Sequence, residues 1–144
     1  MRKLFISTIA TLIGLSIIWQ VTAAERTPAP KDAYLYIGWP NDGEVIPAGR
    51  PFRVWFGLRH MGVAPKDVDA PFTGHHHLII DADLPPFDQE IPSDRNFLHF
   101  GSGQTETMIT LPAGKHTLQL LMGDHNHIPH DPPIYSKKIT INVR

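Results

Sequence analysis

The sequence predicts an all-β fold, an antiparallel β-sandwich, and three observations support this prediction. Short runs of aromatic, β-branched and aliphatic residues recur along the chain, and no window shows the 3.6-residue period of an amphipathic helix. The 14 prolines are spread through the chain and disfavour helices. Turn-forming residues separate the runs. Both an immunoglobulin-like and a cupredoxin-like sandwich agree with this pattern.

The first three predicted strands lie between clear turn signals. Tyr34–Trp39 is a run of aromatic and aliphatic residues that is followed by the turn Asn-Asp-Gly at 41–43. Val45–Ile46 comes next and ends at Pro-Ala-Gly, residues 47–49. Phe52–Leu58 alternates, with phenylalanine, valine and leucine on one face and arginine on the other. This alternation is typical of a strand that buries one face.

The second half of the chain continues the pattern after Gly62–Gly74, which contains two prolines and is predicted as a surface loop. Pro-Ala-Gly at 112–114 is a further turn signal. In the last predicted strand the odd-numbered residues from Tyr135 to Val143 share one face. The remaining predicted strands are His75–Asp81, Asn96–Phe100, Thr105–Leu111, Lys115–Gly123 and Tyr135–Val143.

Residues 1–24 have the features of a secretory signal peptide. Arg2 and Lys3 are followed by the apolar stretch Leu4–Trp19 and by small residues at 21–24. The stretch is shorter than the roughly 20 residues that span a bilayer, so we expect cleavage rather than a retained anchor. We therefore expect a periplasmic or secreted protein. Its organisation would be a signal peptide at 1–24, a tether at 25–32 and one β-sandwich domain at 33–144.

Composition excludes several classes of function. The formal net charge is −1, and removal of the two basic leader residues leaves eleven basic against fourteen acidic side chains. A protein of this charge lacks the cluster of Lys and Arg that nucleic acid binding requires. The chain has no cysteine, which excludes disulfides, iron–sulfur clusters, thiolate zinc sites and copper sites with a cysteine ligand. After cleavage we expect no membrane span.

Nine histidines are the unusual feature of the composition, and most of them fall into groups. His75 and His77 are two apart in a predicted strand, so both point to one face and can chelate a metal, whereas His76 points to the core. Neutral imidazole is the commonest metal ligand in proteins and suits copper and zinc. His127 and His130 flank Pro129, which orders their loop before binding.

The predicted site is a copper or zinc site. The candidate ligands are His75, His77, His99, His127 and His130. The candidate groups for a second shell around them are His76, Asp81, Asp124 and Asp131. Met61 is a candidate soft ligand, whereas Met122 is expected in the core. The alternative for every histidine is a ring that hydrogen-bonds the backbone and stabilises a turn.

Other catalytic chemistries find little support. The chain contains no H-E-x-x-H motif, and the Gly-Ser-Gly-Gln stretch at 101–104 has the wrong spacing for a serine-hydrolase elbow. Carboxylate pairs can be drawn from Asp81, Asp83, Asp88, Glu90 and Glu106. Any acidic loop offers such pairs, so they do not indicate a glycosidase.

Five segments together resemble a known family. They are residues 57–65, 73–81, 99–106, 114–124 and 127–133, which include Thr-Gly-His-His-His-Leu-Ile-Ile-Asp and His-Ile-Pro-His-Asp-Pro-Pro. The chain resembles a bacterial secreted family catalogued as a domain of unknown function, number 4399, over most of residues 33–143. The resemblance implies a small exported β domain whose pattern includes the histidine triplet, His99, His116, His127 and His130. It carries no activity, and His60 and His125 stand at variable positions of the pattern.

The sequence therefore favours a non-catalytic periplasmic protein that binds copper or zinc, with an unidentified periplasmic protein as a further partner. Two other functions agree with the residues. One is a metal-free module that binds a ligand or a protein, and the other is a metal-dependent enzyme with an open coordination position. Periplasmic copper chaperones are a weaker resemblance, because their His-x-Met pairing is missing here.

Overall fold

The computed structural model describes residues 26–144, so the predicted signal peptide and the start of the predicted tether lie outside the described residues. Within this range the chain forms nine strands and no helix. The strands are β1 (Tyr34–Trp39), β2 (Val45–Ile46), β3 (Phe52–Arg59), β4 (Gly62–Val63), β5 (Thr73–Ile80), β6 (Phe97–His99), β7 (Glu106–Ile109), β8 (Gly114–Gly123) and β9 (Ile139–Val143). Residues 26–144 accordingly contain no helix that could span a bilayer.

The strands form two sheets that pack face to face. One sheet has the order β1-β3-β7, and the other has the order β2-β9-β8-β5-β4, with β6 paired to the end of β5. Most pairs are antiparallel; β2 with β9 and β4 with β5 are parallel. The order places β1, β3 and β7 like strands A, B and E of an immunoglobulin sandwich, and β5, β8 and β9 like C, F and G. The predicted antiparallel β-sandwich is confirmed.

The hydrophobic core lies between the two sheets because each strand turns every second side chain inward. The fully buried members from both sheets include Val54, Leu78, Leu118, Leu120, Met122 and Ile141. Full burial of one such aliphatic side chain stabilises a fold by roughly 1.5–3 kcal/mol. This core accounts for the β-sandwich and leaves the outer faces of the sheets for other uses.

Two elements differ from the sequence-based prediction. Inside the predicted loop 62–74, strand β4 pairs in parallel with the start of β5. The last strand begins at Ile139 rather than at Tyr135. The hydroxyl of Ser136 accepts the amide of Leu120 at 2.9 Å, and Tyr135 forms only an isolated bridge to Leu121. The Ser136 side chain thus accepts a hydrogen bond that a backbone carbonyl would accept in a regular sheet, and regular pairing begins only at Ile139.

The outer face of the six-stranded sheet is also covered, by the segment between β5 and β6. Ile91 from this segment packs with Ile79 of β5 and Leu121 of β8, and all three are buried. Partly buried residues complete this second cluster: Ala82, Leu84, Phe87 and Phe97. Strand β5 is therefore buried on both faces, which sets the environment of its histidines.

A candidate metal centre on the outer face of the larger sheet

The histidine triplet lies in β5 with its side chains on alternate faces. His75 and His77 share the outer face, where their ring centroids are 4.9 Å apart. His76 points into the core and packs against Phe56 at 5.1 Å. The sequence placed His75 and His77 facing outward, but both are buried, with 0% and 1% of their surfaces exposed. They lose solvent because the segment after β5 and the loop after β8 fold over this face.

A third ring comes from β6, which pairs antiparallel with β5 and sets His99 directly beside His77. The two rings stack at 5.0 Å, and the rings of His99 and His75 are 4.9 Å apart. One ring nitrogen from each of the three histidines lies within 4.8 Å of the others. Gly101 leaves the room that this requires, because a Cβ there would meet the His99 ring.

His127 brings a fourth ring from the loop after β8. Its centroid lies 4.6 Å from His99, 5.0 Å from His75 and 6.2 Å from His77. Its backbone has a φ of 63°, in the left-handed region, which reverses the chain at this residue. The ring therefore turns back onto the sheet and reaches the other three. We call His75, His77, His99 and His127 the four-histidine cluster.

The buried carboxylate of Asp124 shapes the turn that carries His127. Its Oδ1 accepts the backbone amides of Asn126 and Ile128, each at 2.9 Å, and its carbonyl accepts the His127 amide at 2.9 Å. Burial raises the pKa of Asp124, but hydrogen bonds from Thr27, Ile128 and Asn126 outweigh burial and hold this pKa below its usual value. Asp124, a predicted second-shell group, thus acts on the backbone around a candidate ligand.

Glu90 is a neighbour of the cluster that sequence reasoning did not select. Its Oε1 lies 3.4 Å from Nδ1 of His127, and the adjacent amide of Ile91 donates to the His127 carbonyl at 2.8 Å. A carboxylate beside the outer nitrogen of a histidine is the common means of orienting a metal ligand. Nothing in the local sequence distinguishes Glu90 from other surface acids, so its contact with His127 could be found only from the tertiary structure.

Buried ring nitrogens without a partner are the most informative feature of the cluster. Among the described residues, no hydrogen-bond acceptor or donor meets these buried atoms: both ring nitrogens of His75, Nδ1 of His77, Nε2 of His99 and Nε2 of His127. An unpaired buried polar group costs about 1–3 kcal/mol, and native proteins seldom retain several together. A bound ion would satisfy these nitrogens.

The electrostatics of the cluster keep three of its rings neutral, those of His75, His77 and His99. Burial first, and then the neighbouring imidazoles, lower the pKa of His75 to about 4 and that of His77 to about 2. The pKa of His99 is also lowered, by burial and then by His127 and Lys66. Because a metal binds the neutral imidazole, no proton has to leave these three rings before binding near pH 7.

His130 lies apart from the four-histidine cluster, although the sequence groups it with the ligands. Its ring is fully buried against Gly74, and its Nε2 donates to the carbonyl of Thr73 at 3.0 Å. The ring thereby ties the loop after β8 to the first residue of β5. Because Nε2 of His130 is already bonded to a backbone carbonyl, this residue stabilises the loop after β8 rather than joining the cluster.

The other predicted second-shell groups also lie elsewhere. His76 donates its Nδ1 to the Gln104 carbonyl at 3.1 Å on the core side of the sheet. Asp131 is exposed and faces Arg26 at 3.5 Å. Asp81 follows β5 at the end opposite His75, about 20 Å along the strand by its rise per residue. None of the three contacts the cluster. His76 points to the opposite face of β5, Asp81 lies beyond the far end of this strand, and Asp131 is paired with Arg26.

Asp81 instead holds His116, whose role the sequence left open. The Nδ1 of His116 donates to Asp81 Oδ2 at 2.7 Å, and its Nε2 donates to the Pro112 carbonyl at 2.9 Å. Burial lowers the pKa of His116, but the hydrogen bonds to Asp81 and Pro112 raise it overall. Both nitrogens face acceptors, so this ring is satisfied as a doubly protonated cation and has no free lone pair for a metal.

The remaining candidates lie away from the cluster. His60 faces Asp32 at 3.2 Å, and His125 faces Asp69 at 3.6 Å. Met122 is buried in the core between the sheets, and Met61 packs against that same core. Neither of these methionines brings its sulfur to the cluster, so the metal-binding atoms that the cluster offers in residues 26–144 are imidazole nitrogens.

The chemistry of the donor set can be stated from these contacts. Imidazole nitrogens suit borderline divalent ions such as Cu²⁺ and Zn²⁺, which bind nitrogen at about 2.0–2.1 Å. Five of the six ring pairs have centroids 4.6–5.0 Å apart, and the sixth, His77 with His127, has centroids 6.2 Å apart. The ring nitrogens of His75, His77 and His99 lie close enough to one another to share one ion, and the His127 ring lies beside them. The residues present fit a transition metal, and strands β5 and β6 hold three of them on a rigid frame.

Comparisons with known proteins give one finding. Searches of curated proteins and of solved structures give no match. The family model that matches spans residues 54–144, a range that contains all four histidines of the cluster and strands β5 to β9. The chain belongs to the family described as Domain of unknown function (DUF4399).

Proposed function

We propose that this protein binds a single Cu²⁺ or Zn²⁺ ion through the four-histidine cluster. The observation that carries the proposal is the group of buried ring nitrogens in the cluster that have no partner within residues 26–144. His75, His77 and His99 supply ligands from the sheet, and His127 supplies the fourth from its loop. Glu90 orients His127 from the outside of the site.

Other histidines of the same chain support a metal over a hydrogen-bonded network. His116 has acceptors at both ring nitrogens, whereas His76 and His130 each have one acceptor and one buried nitrogen without a partner. A metal-free module that used histidine to stabilise loops would pair its rings in this way. The cluster instead brings four rings together, with centroids 4.6–6.2 Å apart, and leaves five of their buried nitrogens without a partner. A shared cation would satisfy these nitrogens and offset the cost of burying them.

The number of ligands favours a binding protein over an enzyme. Catalytic zinc sites keep three protein ligands and leave a position for water or substrate, whereas closed sites have four. Beside the three histidines whose ring nitrogens lie within 4.8 Å of one another, His127 offers a fourth buried nitrogen, and two of the four rings are completely buried. The protein would therefore hold or deliver the ion rather than use it in a reaction.

The place of action that we propose is the periplasm or the cell exterior. It is supported by the charged, apolar and small-residue regions of residues 1–24. The lack of cysteine agrees with a metal site that resists oxidation, because imidazole ligands are not consumed by disulfide formation.

Calorimetric titration of the untagged protein with Cu²⁺ and with Zn²⁺ tests the proposal. We expect one equivalent to bind, and His75→Ala, His77→Ala and His99→Ala each to weaken binding by more than the roughly 10–100-fold typical of a second-shell change. His60→Ala and His125→Ala are matched controls outside the cluster and should leave the affinity unchanged. Weak binding of several equivalents that survives the three cluster variants would overturn the proposal.

A further inference from the structure

The first described residues, Arg26–Ala29, run along the loop that carries His127, and we call them the N-terminal strap. The amide of Ala29 donates to the Asp131 carbonyl at 3.0 Å, and the Asp131 amide donates to the Thr27 carbonyl at 3.0 Å. These bonds join positions about 100 residues apart in the chain. The strap is part of the segment that the sequence predicts as a tether.

Arg26 fastens the strap to both segments that cover the cluster. Its Nε donates to the Pro129 carbonyl at 3.0 Å, and its Nη2 donates to the His130 carbonyl. Its guanidinium also lies 6.0 Å from the ring centroid of Phe87, in the segment that covers the outer face of the sheet. One side chain thus links the loop of His127 with the covering segment.

Thr27 connects the strap to the turn of His127 through one buried carboxylate. The Thr27 hydroxyl donates to Asp124 Oδ2 at 2.6 Å, while Asp124 Oδ1 accepts the two amides on either side of His127. Asp124 is only 3% exposed, so Thr27 supplies a donor that water cannot easily replace. The line of contact runs from Thr27 through Asp124 to the backbone of His127.

We propose that the N-terminal strap is a working part of the metal centre, with Thr27 and Arg26 as positioning residues for His127. This inference rests on the proposed function of the four-histidine cluster. The other three ligands lie on paired strands and need no such support, whereas His127 depends on a loop whose ordering costs free energy on binding. When the strap is docked, the loop is already ordered, so ion binding does not have to supply the free energy of ordering it.

Coupling between strap and ion must act in both directions. If strap docking raises the affinity for the ion by some factor, ion binding stabilises the docked strap by the same factor. The amides of Ala29 and Asp131 should therefore exchange hydrogen more slowly in the metal-loaded protein than in the metal-free protein. An ion that bound only the three ligands on the strands, His75, His77 and His99, would leave the exchange rates of these amides unchanged.

Thr27→Val and Thr27→Ser form the matched test, because serine keeps the hydroxyl and valine removes it. We expect Thr27→Val to weaken Cu²⁺ binding by roughly 10–100-fold, as second-shell changes do. The electron paramagnetic resonance spectrum of the Cu²⁺ form should lose one nitrogen coupling, and His127→Ala should lose the same coupling. Thr27→Ser should restore the affinity and the spectrum. Thr107→Val, in β7 of the other sheet, is the control.

A double-mutant cycle separates positioning from general stability. Thr27→Val should change Cu²⁺ affinity little in the His127→Ala background, because its effect passes through that ligand. If the parent protein binds one ion and Thr27→Val leaves both affinity and spectrum unchanged, the strap inference is overturned while the proposed function stands. If the parent protein binds no ion, both are overturned. Unchanged exchange of the Ala29 and Asp131 amides on metal loading would also overturn the inference, even where Thr27→Val does not fold.

Discussion

Histidine has two different environments in this protein, and the partners of the ring nitrogens distinguish them. His116 has an acceptor at each nitrogen and is stabilised as a cation. His75 is completely buried with no partner at either nitrogen and is stabilised as a neutral ring. The same side chain can therefore be a structural cation or a metal ligand, and its surroundings decide which.

The contact between His116 and Asp81 gives a prediction on stability against pH. The pKa of His116 is raised in the folded state, so the contact contributes most below the unfolded value of about 6.5 and is lost as pH rises through the folded pKa. His116→Gln should therefore destabilise the metal-free protein by about 1 kcal/mol at pH 6 and by less at pH 8.5.

Urea unfolding of parent and variant at the two pH values measures this difference. His60→Gln is the control, because its contact with Asp32 is exposed and should contribute almost nothing at either pH. A loss of stability that stays constant between pH 6 and pH 8.5 would contradict the assignment of a charged His116.

Strand β5 is the element that makes the site, because it is buried on both faces for different reasons. Its inner face closes the core with Leu78 and Ile80, and its outer face presents His75 and His77. The pairing with β6 then fixes where His99 stands. Backbone hydrogen bonds between strands thus hold three of the proposed ligands, and the small residues Gly101 and Gly123 leave space for their rings.

Gly101 provides a test at this scale. A methyl group at position 101 would meet the ring of His99, so Gly101→Ala should displace this ring and weaken Cu²⁺ binding by roughly tenfold or more. Gly57→Ala is a matched control: its methyl group would meet the ring of Tyr36 on the other sheet, which is not part of the four-histidine cluster.

Both glycine variants should lose stability, but only Gly101→Ala should lose metal affinity. Calorimetric titration after a check of folding by circular dichroism compares them. Equal affinities for the two variants would show that the position of His99 does not matter for binding.

On the scale of the whole molecule, the site depends on contacts between distant parts of the chain. The cluster joins β5, β6 and the loop after β8, and the N-terminal strap closes that loop. An ion that binds this arrangement binds only the folded chain. It should therefore stabilise the fold by mass action, by about 2.7 kcal/mol at a free concentration 100 times the Kd.

For a domain of this size that free energy corresponds to a rise in Tm of roughly 10 °C. We expect Zn²⁺ to raise Tm by this amount and a strong chelator to reverse the rise. His77→Ala should abolish the shift, whereas His125→Ala should retain it. A Tm that is the same with Zn²⁺ and with chelator would favour the metal-free binding module.

The sequence by itself determined the β-sandwich and the local geometry of the histidine triplet. Alternation along Phe52–Leu58 and around His76 suffices for this, because the two-residue period of a strand assigns each side chain to a face. The strand Tyr34–Trp39 is found as predicted. These are local properties, so they can be deduced from neighbouring residues.

Only the tertiary structure decided which distant residues share the site. His127 joins the cluster and His130 does not, although both lie in one loop, because a left-handed turn at His127 and the Thr73 carbonyl beside His130 separate them. No sequence motif marks Glu90 or Thr27 as part of the site. Their roles follow from tertiary contacts, that of Glu90 with His127 and that of Thr27 with Asp124. Such contacts depend on packing between segments far apart in sequence, which local periodicity does not encode.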